Sequence, residues 1–164
     1  MRPRHAASAL LLLAALAGPG ACADRDTDAG DALLKELGSA DFRNSYSRAP
    51  GWERRLLGDS PHGFWIDVYI NDVMVDAIAA NVPIDAWPIG SRVVIEGWTT
   101  EDAEERDFLL VMDRQTATDA WFWAEWGEED ALVYAGDEVR HCVACHEEGE
   151  DSVRSILLPP RTGQ

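Results

Sequence analysis

Two cysteines and a histidine near the C-terminus are the residues whose types and spacing best suit chemistry. Cys142, Cys145 and His146 form the pattern Cys-x-x-Cys-His. On a helix, positions three and four apart lie on one face, so both thiols can form thioethers with haem vinyl groups while the imidazole reaches the iron from the same side. The pattern predicts one covalent haem c per chain, with His146 as an iron ligand.

Other uses of these residues fit the sequence less well. A redox pair of the thioredoxin type is expected after a strand in a βαβ unit, and no such pattern surrounds Cys142. A structural zinc site needs a fourth ligand, for which only His62 and His141 remain after the first 22 residues. A disulfide between Cys142 and Cys145 would be sterically tight. The pattern therefore favours haem attachment.

The second axial position of the iron decides between ligand binding and electron transfer. His62, Met74 and Met112 are the candidate ligands, because His141 is adjacent to Cys142 and cannot reach around the porphyrin. Both methionines fit an apolar core, and His62 fits a surface loop. We therefore expect a five-coordinate or weakly ligated iron.

Aromatic side chains are the candidates for covering the second side of the haem. Trp98, Phe64 and the aromatic segment 121–126 could provide an apolar cap. Glu96 or Arg92, if buried beside the haem, would supply a proton or a hydrogen bond to a bound ligand. A solvated strand face suits these two charged residues better.

Alternating apolar residues predict the strands that must position this site. The predicted strands cover residues 64–70, 92–98, 108–113, 120–126 and 131–135. In the fourth, Trp121 and Trp123 point to one face while Phe122 and Trp126 point to the other, so both faces must be covered. Polar connections that contain glycine favour antiparallel hairpins. An aromatic core is the simplest interpretation of this tryptophan-rich strand, and lining a haem is the alternative.

Helical spacing predicts three short helices around the sheet. The first covers residues 31–37 and stops at Gly38, and the second covers residues 72–80 with Asp72 as its cap. The third covers residues 137–148 and carries the Cys-x-x-Cys-His pattern. The predicted fold class is α+β: a predominantly antiparallel β-sheet domain with short flanking helices and a C-terminal haem-binding helix.

The order of these motifs resembles the cytochrome P-460 and cytochrome c′-beta family over roughly residues 60–156. The matching segments are 62–63, 69–71, 87–98, 110–114, 121–126, 142–146 and 151–153. The resemblance implies a mostly antiparallel β fold, a homodimer, and a five-coordinate iron with His146 proximal and an open or apolar distal side. P-460 members carry a lysine cross-linked to the haem and oxidise hydroxylamine. Members of the c′-beta kind lack it and bind nitric oxide or carry electrons.

The chain departs from the P-460 kind at the cross-link. Ile95 occupies the position where the resemblance leads us to expect the lysine, and Lys35 in the predicted N-terminal helix is the only lysine of the chain. We therefore expect a c-type cytochrome that binds nitric oxide or a similar small ligand. The alternatives are a low-spin electron-transfer cytochrome and a haem oxidase of small nitrogen compounds or peroxide.

The N-terminal segment has the pattern of an export signal. Residues 1–22 contain basic residues, then an apolar run too short to span a bilayer, then small residues ending at Cys22. Cys22 could be the lipidated first residue of a lipoprotein, the interpretation we favour, or cleavage could precede Asp24. Residues 23–40 are predicted as an acidic linker, over 23–30, and a short helix, and residues 41–164 as the haem domain. The expected location is the periplasm or the outer surface of a bacterium, with a membrane tether if Cys22 is lipidated.

The charge of the chain limits its partners. The formal net charge is −16, and residues 1–22 contain arginine but no acidic residue, so the remainder is more acidic still. Such a surface argues against nucleic acid and against anionic membranes as partners. It suits an exported protein that must stay soluble, and it also suits transient docking of a basic redox partner.

Overall fold

An antiparallel sheet dominates the computed structural model, which describes residues 26–58, 62, 65–82, 84–115, 120–149, 151–154 and 156. Phe64, Cys22 and the predicted export signal lie outside these residues. The strands are β1 Ser47–Arg48, β2 Leu56–Leu57, β3 Trp65–Ile70, β4 Arg92–Trp98, β5 Phe108–Asp113, β6 Phe122–Trp126 and β7 Leu132–Gly136. Their order is β1-β3-β4-β5-β6-β7, and β2 pairs with the same strand β3 as β1 does.

Short helices flank the sheet, which confirms the predicted α+β fold. They are α1 Thr27–Ala40, α2 Phe42–Ser45, α3 Asp72–Ala79 and α4 Arg140–His146, with a 3₁₀ turn over Glu128–Asp130. Within the part of the chain that the structure describes, no helix has the length and apolar character needed to cross a membrane.

The strand predictions are confirmed most closely in the centre of the sheet. β4 and β5 have the predicted bounds, and β6 and β7 differ from the predicted strands by one or two residues at their ends. Consecutive strands from β3 to β7 pair as antiparallel neighbours, as the polar connections predicted. β1 and β2 were not predicted, because two-residue strands carry no alternating pattern of their own.

The two faces of the sheet have separate hydrophobic cores. One face, here called the site face, packs beneath α3 and α4 and contains Trp121 and Trp123. The other, here called the α1 face, contains Phe122 and Trp126 and is covered by Leu33 and Leu37 of α1, among others. The predicted division of the aromatic strand between two covered faces is therefore confirmed.

Helix α1 is longer than predicted at both ends. The segment 27–30, predicted as linker, forms its first turn, because the Asp26 carboxylate accepts a hydrogen bond from the Ala29 backbone N–H at 3.1 Å. Gly30 sits so close to β7 that a Cβ there would lie 3.1 Å from the Ala135 methyl group. Helix α1 also continues past Gly38 to Ala40. Packing against the sheet therefore extends the helix beyond its amphipathic segment.

The other two predicted helices have different caps or bounds. Asn71, rather than Asp72, caps α3, since its side-chain oxygen accepts a hydrogen bond from the Met74 N–H at 3.4 Å. Helix α4 begins at Arg140, not at residue 137, and ends at His146. It follows Val139, which has no capping side chain, so packing rather than capping fixes its start.

Candidate haem site

Helix α4 brings the predicted attachment residues together on the site face. Cys142 packs against the core of that face. Cys142, Cys145 and His146 line one cavity of about 270 Å³ whose opposite wall comes from the sheet and from His62. The structure thus places Cys142, Cys145 and His146 around a single space. Helix α4, which carries all three residues, is only seven residues long.

The imidazole of His146 has a fixed orientation. Its Nδ1 lies 2.7 Å from the carbonyl oxygen of Ser152, to which it can donate a hydrogen bond. Such a bond fixes the tautomer and directs Nε2 towards a metal. Burial lowers the pKa of His146, which favours the neutral ring that a metal requires. The ring also packs at 4.8 Å from that of Trp123.

The turn that follows α4 is held by Asp151. Its carboxylate accepts a hydrogen bond from the Trp87 backbone N–H at 2.7 Å and forms an ion pair with Arg114. Its carbonyl oxygen accepts a hydrogen bond from the Trp121 indole at 2.9 Å. Asp151 and Ser152 both adopt positive φ angles, 47° and 67°, which cost energy for residues with a side chain. These contacts hold the turn and with it the carbonyl that orients the site imidazole.

His62 faces His146 across the cavity. The centroids of their rings are 6.3 Å apart. Burial, and to a smaller extent the nearby His146, lower the pKa of His62. The sequence suggested a surface loop for His62, but the structure places its half-buried ring beside the predicted iron ligand.

Tyr134 and Glu125 border the cavity and were not identified from the sequence. Tyr134 is buried, and the burial together with hydrogen bonds to Cys142 and Glu125 raises the pKa of its hydroxyl group. Its ring packs against that of His141 at 4.8 Å. Strand alternation was the available signal for Glu125, because it shares a face with Trp123.

The wall that faces α4 is apolar. Val93, Ile95 and Leu110 line it together with His62 and Met112. Met112 and Met74 are buried in the core of the site face, as their apolar surroundings in the sequence predicted. Ile95, the position at which a cross-linking lysine was expected, faces the same space as Cys142. Lys35 is exposed on α1, which covers the other face of the sheet.

The structure does not bring Trp98 to this cavity. Trp98 shares strand β4 with Ile95 but has the opposite alternation, so it lies on the α1 face. There its ring lies under the Arg55 guanidinium, 3.8 Å from the ring centroid. Phe64, the second predicted haem contact, is outside the described residues.

Glu96 and Arg92 also lie on the α1 face, away from the cavity that contains Cys142 and His146, and the solvated strand face that the sequence favoured for them is wrong. Neither residue is on a solvated face. Glu96 is 1% exposed and accepts a hydrogen bond from Arg43 at 3.0 Å. Arg92 pairs with Asp113 at 3.0 Å and with Glu36 at 2.9 Å. Both charges are buried because partners on the same face neutralise them.

The chemistry of the cavity fits haem c. Cys142 and Cys145 are thiols rather than a disulfide, and His146 has one ring nitrogen directed away from its backbone partner. The apolar strand residues opposite α4 suit the flat apolar face of a porphyrin. Cys142 and Cys145 would hold the group covalently, and His146 would ligate its iron.

A sheet whose apolar face receives a Cys-x-x-Cys-His helix defines a haem-binding cytochrome of the c type. The model of the Cytochrome P460 family matches residues 53–153 of the chain, so the protein belongs to this family. No curated protein matches the chain at a significant level. The family match confirms the resemblance that the order of motifs predicted.

Proposed function

We propose that the protein is an exported mono-haem c-type cytochrome that binds nitric oxide or a similar small ligand at an iron held by His146. The observation that carries the proposal is that both thiols and the oriented imidazole line one cavity, and that Cys142 and Leu110 also line a smaller adjoining pocket among apolar strand residues. Haem held by Cys142, Cys145 and His146 would supply a redox-active iron at which a small molecule can bind.

Each residue of the cavity has a role that follows from its chemistry. Each thiol of Cys142 and Cys145 adds across a vinyl double bond, sulfur bonding to one carbon and the hydrogen going to the other, so no oxidant is consumed. The Ser152 carbonyl orients the His146 ring. Ile95 and Leu110 present an apolar surface that favours a small neutral ligand over an ion, because burying an unpaired charge is costly.

Hydroxylamine oxidation through a lysine cross-link is not part of the proposal. Lys35 is the only lysine in the sequence, and α1 holds it on the far side of the sheet from α4. The side chain at the expected cross-link position, Ile95, cannot form such a bond. Ligand binding needs no cross-link and is consistent with this residue.

Covalent haem attachment is tested in a host that matures c-type cytochromes. The expected result is a haem signal that stays with the polypeptide on a denaturing gel and is lost when both cysteines are changed, in Cys142→Ala/Cys145→Ala. The matched control, His141→Ala, keeps both cysteines and should keep the signal. Haem that leaves the denatured wild-type chain would contradict the proposal.

Ligand binding is tested on the purified holoprotein. Adding nitric oxide to the reduced protein should change its optical spectrum in proportion to the ligand bound, up to one per haem. An unchanged spectrum at saturating gas would rule out an accessible axial position.

Electron transfer is the second candidate function, and the position of His62 favours it. An imidazole on each side of the iron would give a low-spin haem suited to carrying electrons. The acidic chain, of net charge −16, suits a basic redox partner. For this function, electron transfer with a basic partner should slow steeply as salt is raised, since long-range attraction between exposed charges is screened. Salt-independent rates would count against it.

Export, anchoring and assembly complete the proposal. We propose that residues 1–22 direct export to the periplasm or outer surface, that Cys22 is the lipidated first residue of the mature chain, and that two chains form a homodimer. Mass spectrometry of the mature N-terminus separates lipidated Cys22 from cleavage before Asp24, which would leave an unmodified peptide. Sedimentation of the soluble domain gives the oligomeric state, and a monomeric mass would contradict the homodimer.

A further inference from the structure

His62 and His146 are neighbouring imidazoles whose ring planes are inclined by 63°. Their ring centroids are 6.3 Å apart, and both rings line the cavity that also contains Cys142 and Cys145. The pair is far apart in sequence, on opposite sides of the whole strand meander, so the sheet and α4 bring it together.

The separation of the rings matches two imidazoles that share one metal ion. A metal–nitrogen bond of about 2 Å on each side, with about 1 Å from each nitrogen to its ring centre, puts such rings about 6 Å apart. Ordinary ring contacts in this fold cover the same range, with Trp123 and His146 at 4.8 Å and Phe42 and Tyr46 at 6.3 Å, so the spacing is compatible with a shared metal ion but does not by itself require one. The observed spacing leaves room for an atom between the rings.

The rest of the cavity leaves His62 as the side chain best placed to act as a ligand. Nδ1 of His146 is engaged by Ser152, so its Nε2 serves the iron. Among the described residues, none is a hydrogen-bond partner of the His62 ring. Met74, on α3, is fully buried, and Met112 is 6% exposed in the core of the site face. A methionine ligand would have to leave that core.

We propose that His62 is the second axial ligand of the haem iron, opposite His146, and that a small ligand binds by displacing it. This inference rests on the proposed haem attachment. When a small neutral ligand binds, it would replace the neutral imidazole of His62. One neutral donor takes the place of another, so no electron or proton has to be transferred. The resting protein is then six-coordinate and low-spin.

The test compares optical and magnetic-resonance spectra of the wild-type holoprotein with those of His62→Ala. The wild type should be low-spin in both oxidation states and should lack the near-infrared band that marks methionine ligation. His62→Ala should be high-spin, and added free imidazole should restore the low-spin spectrum. If His62 occupies the iron in about nine molecules of ten, its removal raises the apparent affinity for carbon monoxide about tenfold.

Two further variants make the outcome specific. Met74→Leu keeps the volume of the core and should leave the low-spin spectrum unchanged, as should Lys35→Ala, which changes a residue of α1 on the other face of the sheet. A high-spin wild type would overturn the inference, and so would a His62→Ala protein that stays low-spin without imidazole.

These results are separate from a failure of the proposed function. Absence of covalent haem in the wild type contradicts haem attachment itself. A high-spin wild type that carries covalent haem and binds gas supports the proposed function and removes only the role of His62. Because the wild-type spectra alone can overturn the inference, it remains testable even if the His62→Ala protein does not fold.

Discussion

The orientation of His146 depends on residues outside the Cys-x-x-Cys-His pattern. The pattern fixes the ligand and the attachment points, but the Ser152 carbonyl fixes the ring, and Asp151 fixes the turn that carries this carbonyl. Arg114, which pairs with Asp151, has a side chain only 4% exposed. A buried arginine thus connects the end of β5 to the predicted iron ligand.

Removing the Asp151 carboxylate should destabilise the protein strongly. In Asp151→Ala, the buried guanidinium of Arg114 loses its partner, and breaking a buried pair in this way costs about 3–5 kcal/mol. Denaturant unfolding of the holoprotein measures the loss. The matched control is Arg54→Ala. Arg54 and Glu101 form an exposed ion pair at 3.9 Å, and its loss should lower the unfolding free energy by less than about 1 kcal/mol. Similar losses in both variants would show that the turn is not held by Asp151.

Tyr134 gives a prediction that depends on pH. Burial and the hydrogen bonds to Cys142 and Glu125 raise the pKa of its hydroxyl, so the folded protein keeps a proton that the unfolded chain loses above about pH 10. The stability contributed by Tyr134 is therefore complete below that pH and is lost as the pH rises further. Tyr134→Phe should cost about 1 kcal/mol at neutral pH.

The difference in unfolding free energy between wild type and Tyr134→Phe should shrink above about pH 10. Denaturant unfolding at neutral and at alkaline pH measures this difference directly. Tyr69, whose pKa is also raised by burial, is present in both proteins, so its effect cancels. If the difference in unfolding free energy between wild type and Tyr134→Phe stays constant with pH, Tyr134 is not protected from ionisation.

At the scale of elements, the sequence predicts whatever has a periodic pattern of its own. Alternation identified β4 and β5 with correct bounds, since both faces of these strands are buried in separate cores. The two-residue strands β1 and β2 could not be found this way, because they exist only through pairing with β3. The first turn of α1 was missed for a related reason: it is stabilised by a cap and by contact with β7 rather than by its composition.

The site was predictable to the extent that its residues are close in sequence. Cys142, Cys145 and His146 follow from spacing alone. The approach of His62 to His146 does not, because the whole meander separates them and its twist and register decide their distance. Trp98 is the opposite case. It lies in the predicted strand β4, but the alternation of side chains puts its ring on the α1 face, beside Arg55 and away from the cavity that contains His146.

The pairing of β4 with β5 depends on a glycine. Gly97 lies opposite Phe108, whose ring covers the strand so closely that a Cβ at residue 97 would fall 2.0 Å from it. Phe108 also borders the haem cavity. Gly97→Ala should therefore displace the ring and cost about 1–3 kcal/mol, as overpacking usually does. Denaturant unfolding measures the cost, and the Soret band of the holoprotein should shift as the cavity wall moves.

The matched control for this change is Gly38→Ala. Gly38 lies on the exposed side of α1 with nothing within 4 Å of an added Cβ, so alanine should stabilise the helix by about 1 kcal/mol or less. Replacing the Phe108 ring with the smaller leucine side chain, in Gly97→Ala/Phe108→Leu, should recover part of the lost unfolding free energy. A Gly97→Ala protein as stable as wild type would show that Phe108 can move away without cost.

At the scale of the whole molecule, the sheet separates two kinds of surroundings. The site face is apolar beneath α4, whereas the α1 face contains buried ion pairs of Asp67, Glu96 and Asp113 with arginines. These three ion pairs thus lie on the far side of the sheet from the candidate haem cavity, whereas Glu125 borders that cavity. An iron on the site face is shielded from these carboxylates by the thickness of the sheet.

This division predicts that Lys35 has no part in the haem chemistry. Lys35→Ala should leave the optical spectrum and the gas affinity of the holoprotein unchanged, because α1 holds the residue on the opposite face. The mass of the haem peptide after digestion should equal that of the peptide plus one haem. A cross-linked peptide that contains Lys35, or a changed spectrum in the variant, would refute this arrangement.

Both outer borders of the sheet are partly covered by other segments of the chain. At one border the backbone N–H of Asp26 donates to the Ala135 carbonyl at 2.8 Å, so α1 occupies part of the outer side of β7. At the other, the short strands β1 and β2 divide the outer side of β3 between them. Open borders recruit strands from other molecules and lead to fibrous aggregation. We therefore expect the proposed homodimer to form through side chains rather than by joining two sheets into one.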